Sequence, residues 1–219
     1  MKTKIGLSVL ATVFLAATSV AQQKTTFGIR AGVNFQNITG KDINDDDPEF
    51  RLKPGFHVGV NAEIPVGVDF YVQPGLLFSQ KGAKSSDTQP DAKFNLSYIE
   101  VPVNFLYKPT LGAGKLLLGF GPYVAVGVGG SYKPETGPDI DYEFDNEITL
   151  ADVALNPYRA KRIDAGANLL VGYEMSNKVS LQLNAGLGLV NMYPEITNGP
   201  NDLPKYKNTG FGLSLGYRF

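Results

Sequence analysis

From residue 27 onward, apolar and polar side chains alternate with a period of two in eight separate segments. That period marks β-strands with two unlike faces. In FGIRAGVNF, Phe27, Ile29, Ala31, Val33 and Phe35 share one face; Gly28, Arg30, Gly32 and Asn34 share the other. FHVGVNAEI (56–64), FYVQPGLLFS (70–79) and YIEVPVNFLY (98–107) repeat the scheme in the first half of the chain. LLLGFGPYVAVGVG (116–129), RIDAGANLLVGYE (162–174), VSLQLNAGLGL (179–189) and TGFGLSLGYRF (209–219) repeat it in the second. Each segment is long enough to cross a bilayer at a steep tilt. The pattern predicts an all-β fold: an eight-stranded antiparallel up-and-down barrel.

The connections alternate in length. Short turns are expected around Pro65 to Val68, Pro109 to Gly114 and Ser176 to Lys178, with long polar loops after the first, third, fifth and seventh strands. Sorting loops by end is the habit of bacterial transmembrane barrels, with short periplasmic turns and longer outer loops. A soluble barrel would turn the same sheet inside out and cover its exterior with Lys, Glu and Thr. Here the polar face is mostly Gly, Asn and Ser with sparse charges, which suits the crowded interior of a narrow barrel. Aromatic residues cluster at both ends of the apolar face. Phe27, Phe70, Tyr107, Tyr173, Tyr217 and Phe219 lie at the periplasmic side, and Phe35, Phe56 and Phe78 at the outer side. That is the layout of an aromatic girdle around a lipid-facing band.

Composition sharpens this picture. Glycine accounts for 25 of 219 residues, well above the usual ~7%, as expected where backbones approach closely. The net charge of -1 gives no electrostatic case for nucleic acid. The first residues follow another rule: a basic start (Lys2, Lys4), an apolar run, then Ser19 and Ala21. This predicts a signal peptide over 1–21, cut between Ala21 and Gln22, with the barrel domain over 22–219. With no cysteine in the chain, neither a disulfide nor a cysteine-linked lipid anchor is expected.

The terminal strand LSLGYRF, with Phe211, Leu213, Leu215, Tyr217 and Phe219 at alternate positions, resembles the signal read by the barrel-insertion machinery of the outer membrane. The segments GIRAGVNF, KPGFHVGV, QPGLLFSQKGAK, YIEVPVNFLYK, GFGPYVAVGVGG and KRIDAGANLLVGYE are similar, in order, to the PorT-type outer-membrane β-barrel family. The resemblance implies an integral outer-membrane barrel without catalytic residues, with an envelope-assembly or secretion-associated role. The expected partners are outer-membrane lipid, the insertion machinery, and envelope or secretion proteins reached through the outer loops. No cofactor or metal is implied. The alternative is a narrow conduit for small hydrophobic or ionic solutes.

The interior charges are the candidate chemistry. Strand direction places Arg30, Glu63, Glu174 and Arg218 in the lower half of the interior, and Glu100, Arg162 and Asp164 nearer the outer mouth. Enclosed ions are expensive unless paired, so two cross-strand clusters are expected, plugging the bore. His57, the one histidine, has no nucleophile at a diagnostic sequence spacing and is expected to be a hydrogen-bonded interior or rim residue. DINDDDPE in the first outer loop, and Glu135, Asp139, Asp141, Glu143, Asp145 and Glu147 in the third, depart from the EF-hand pattern and read as solvated acidic loops. GAGK lacks the spacing and the following Ser or Thr of a phosphate loop.

Overall fold

The computed structural model describes residues 24–86, 90–199 and 203–219; the predicted leader lies outside them. Eight long strands form the wall: β1 (Thr26–Lys41), β2 (Lys53–Gly67), β3 (Phe70–Lys84), β4 (Lys93–Tyr107), β5 (Gly114–Lys133), β6 (Ile163–Glu174), β7 (Val179–Gly188) and β8 (Lys205–Arg218). Each pairs antiparallel with its sequence neighbours, and β1 pairs with β8 from Gly28–Arg218 to Lys41–Lys205. The barrel is therefore closed, as the alternation predicts. No helix among the described residues is long and apolar enough to cross a membrane; the strands do so instead.

The apolar face points outward. Phe27, Phe120, Leu169, Leu183 and Leu215 are each at least 60% exposed, whereas Asn34, His57, Glu63, Asn104 and Asp164 are buried. A continuous apolar exterior of this kind is untenable in water and is the surface a lipid chain requires. From Phe27 to Phe35 the band covers eight residue steps, about 27 Å along the strand and about 21 Å in height at a tilt of ~40°. Its rims carry the expected rings. Phe70 stacks on Tyr107 (4.8 Å) at one end, and Phe35–Phe211 (5.4 Å) and Phe56–Phe78 (5.6 Å) mark the other.

The strand boundaries differ from the sequence reading in two main ways. Pro65 belongs to β2, whose register shifts between Pro65 and Gly67, so the first turn is only Val68 and Asp69, the latter at φ 62°. Five of the strands, β1, β3, β4, β5 and β8, run four to six residues past the predicted outer ends. Above the lipid band both faces of a strand meet water or protein, so the alternation that reveals a strand fades while its ladder continues.

The narrow bore is filled by large side chains seated over glycines. At Gly166 an added Cβ would lie 2.2 Å from the Leu187 carbonyl oxygen and 2.6 Å from the Tyr123 ring. Gly166→Val is thus expected to destabilise the barrel by about 1–3 kcal/mol, lowering the urea midpoint in detergent micelles. Gly129→Val, where a Cβ meets nothing within 4 Å, is expected to leave that midpoint unchanged.

Candidate functional site

The interior is layered. At the periplasmic end, the last turn of the β4 alternation brings Lys108 inward below Leu106. Its ammonium lies 2.6 Å from Glu63 and 3.0 Å from Glu174, and Arg218 donates to Glu63 at 2.6 Å. Gln73 extends the cluster from Glu63 to Asn104. Above it, Leu106, Leu117 and Leu170 pack with Tyr71 into an apolar layer across the bore. Two carboxylates meet two cations here, so the buried charge is balanced within the cluster, as enclosure demands.

Nearer the outer side, Lys81 lies 3.0 Å from both Glu100 and Asp164 and over the Tyr123 ring, 4.1 Å from its centroid. Asp164 also accepts from Tyr123 (3.3 Å) and Asn208 (3.1 Å). Between the two clusters is a small cavity of about 60 Å³, lined by Arg30, Asn34, His57, Asn168, Asn184 and Gly186 among others. Arg30 borders it with a single hydrogen bond, to Asn184 at 3.4 Å.

Of the sequence-predicted site residues, Glu63, Glu174 and Arg218 meet in the lower cluster, and Glu100 and Asp164 in the upper one. Two stand elsewhere. Arg30 lies on the wall of the central cavity, because Gln73, Asn104 and the Leu106 layer occupy the space below it. Arg162 precedes β6, is exposed, and donates to the Phe144 carbonyl in the third loop at 3.2 Å. The central cations of both clusters, Lys81 and Lys108, were missed. Each continues the inward parity of its strand just past the predicted end, from Ser79 and from Leu106. Phe211, Leu213, Leu215, Tyr217 and Phe219 all face outward along β8 and just beyond it.

His57 has the partners that sequence spacing hid. Its Nε2 lies 2.7 Å from Ser214 Oγ and its Nδ1 2.7 Å from Asn34 Oδ1. With the Asn34 amide donating to Phe56 and Gln80 carbonyls, Nδ1 carries the proton and Ser214 donates to Nε2. This has the connectivity of a nucleophile–base–orienter relay. However, Ser214 is 1% exposed and its oxygen also accepts from Asn184 at 2.6 Å, so the hydroxyl is spent on the interior network.

The outer mouth is covered. Ile38, Ala83, Leu96, Tyr98, Tyr123, Ala125, Ala160 and Met192 form a buried cluster, joined by Phe50, Phe94, Tyr142, Phe144 and Tyr206. Phe144 descends from the third loop until its ring occupies the space a Gly127 side chain would take. The third loop pairs within itself and with the fourth. Glu143–Phe144 runs parallel to Arg159–Ala160, and Glu147–Ile148 to Glu195–Ile196 of the fourth loop. Their carboxylates are engaged by cations: Arg159 with Glu143 and Asp145, and Lys161 with Glu195. A short helix α1 (Leu150–Leu155) is opened by a Thr149–Asp152 capping box, whose hydrogen bonds hold the Asp152 carboxyl below its usual range.

Two tests address the interior. Lys108→Met strips Glu174 of its cation and is expected to cost about 3–5 kcal/mol; adding Glu174→Gln is expected to recover part of that loss, read from urea midpoints. A fluorophosphonate probe is expected to leave Ser214 unlabelled, whereas covalent modification there, seen by mass spectrometry, would mean that the relay is a working nucleophile.

No curated protein matches the chain. Among solved structures, it is similar to Ail, the attachment invasion locus protein of Yersinia pestis. The identity is 12% with a TM-score of 0.44, over 90% of this chain and 100% of that one. It is also similar to a major outer membrane protein from Thermus thermophilus, at 15% identity and a TM-score of 0.49, over 90% and 100% of the two chains. The sequence matches the family described as outer membrane protein beta-barrel domain over residues 20–193. Together with a closed wall of eight strands and an apolar exterior, that match makes this chain a member of the outer membrane protein beta-barrel domain family, an integral protein of the outer membrane.

Proposed function

We propose that this barrel is a non-enzymatic anchor whose work is done by its outer loops, which bind an envelope or secretion partner in the manner implied by the PorT-type resemblance. The observation that carries the reading is the pairing of the third and fourth loops over a filled mouth. Long loops serving only as connections need no mutual strand pairing, and ordering them costs about 1–2 kcal/mol per residue. A pre-ordered surface lowers the entropy a partner must overcome on binding. The tyrosines favour the same role. Tyr132 and Tyr158 stack at 4.0 Å, with Tyr142 beside them, and such amphipathic rings are enriched where proteins recognise one another.

A second reading, a narrow conduit for small solutes, is favoured by the central cavity. It requires the Leu106 layer and the loop cap to yield. Planar-bilayer recordings distinguish the two: the loop-display reading expects no steady open-pore current, and a stable single-channel conductance would replace it with the conduit. Site-specific photocrosslinking from Tyr158 in intact cells is expected to capture a discrete protein partner, lost when residues 140–160 are replaced by a short Gly/Ser linker.

A further inference from the structure

Above the lipid band, basic residues recur on neighbouring strands of the wall. One cross-strand row reads Arg51, Lys84, Lys93, Lys133 across β3, β4 and β5 and the bridge residue preceding β2. Lys41, itself paired with Asp47 at 3.0 Å, lies opposite Lys205, with Lys207 two residues further along β8. Because β8, β1, β2, β3, β4 and β5 are consecutive neighbours in the wall, these residues form one arc. Ala83 and Phe94 pack into the interior cluster, so Lys84 and Lys93 face outward. Among the described residues of the eight wall strands, the outward positions above the band include no carboxylate; the nearest one in the sheet is Asp141, opposite Ser131 in a short added strand.

Like charges placed directly opposite on neighbouring strands destabilise a sheet. The loops relieve only the ends of the row, where Arg51 pairs with Asp91 and Lys133 with Asp139. Among the described residues, Lys84 and Lys93 face each other without an ion-pair partner. The row stands four residues beyond Ser97 and the exposed Val128 beside it, about 13 Å along the strand and about 10 Å in height at a ~40° tilt. Lysine side chains can reach down from there to the headgroup zone, which flanks the hydrocarbon on each side.

We infer that this arc is a binding site for the phosphate groups of outer-leaflet lipid, with Lys84 and Lys93 as its centre. The phosphates supply the negative charge that the row lacks, and each exposed cation adds attraction to an anionic membrane surface. The acidic loops stand above the arc, so the charge pattern also sets the depth at which the barrel rides.

The test uses the full mature chain in nanodiscs containing either bisphosphorylated lipid A or the same lipid stripped of phosphate. Thermal unfolding is followed by heat-modifiable gel mobility at low salt. The phosphorylated lipid is expected to raise the midpoint by several degrees, and Lys84→Gln with Lys93→Gln to remove most of that rise. Lys161→Gln, outside the arc, is expected to leave it intact. An equal midpoint in the two lipids, or a rise undiminished in the double variant, overturns the site. So does a full rise produced by inorganic phosphate alone, which would make the arc a generic anion patch. None of these outcomes depends on partner capture by the loops, so the two proposals fail separately.

Discussion

Hydrocarbon offers no partner to a backbone amide, so a sheet within it must satisfy every strand on both sides. The return of β8 to β1 meets that demand, and most other features follow from it. Closing only eight strands leaves an interior just wide enough for side chains. The wall then has to be small where a neighbour is large, as at Gly166 beneath Tyr123. Because lipid takes the apolar face, whatever polarity the strands possess is confined inside and must satisfy itself. The lower cluster does this with two cations and two carboxylates. The upper one holds two carboxylates around Lys81, and Arg30 lines the same cavity as Glu100.

The same enclosure accounts for the relay at His57. Histidine, serine and asparagine in an enclosed bore have few ways to satisfy their donors and acceptors, and a linear chain of hydrogen bonds is among the simplest. Ser79, Asn34, His57, Ser214, Asn184 and Arg30 form such a chain. Hydrogen-bond saturation alone is enough to produce this geometry.

Much of the wall was legible in the sequence because lipid enforces a strict period of two, and because the two ends of the barrel permit different loop lengths. Glu63, Glu174, Arg218, Glu100 and Asp164 were legible for the same reason, since parity alone directs them inward. Lys81 and Lys108 were not, although they obey the same parity. Lys81 lies past the point where the apolar face of β3 stops alternating, whereas Lys108 is the first residue beyond β4, at the start of the turn. Arg162 shows the opposite error, a strand begun one residue early. The cap and the His57 contacts were illegible for a different reason. They join residues far apart in the chain, such as Phe144 with Gly127 and His57 with Ser214, by tertiary packing that no local period records.

The seam between β1 and β8 bears on how such a molecule comes to exist. Its two strands are the first and last of the wall, and Phe219 donates its amide to the Phe27 carbonyl at 2.8 Å. Until both arrive, the growing sheet presents two raw edges, each a template for pairing with another chain. Assembly has to be held open, protected from other strands, and sealed in one final act of zipping.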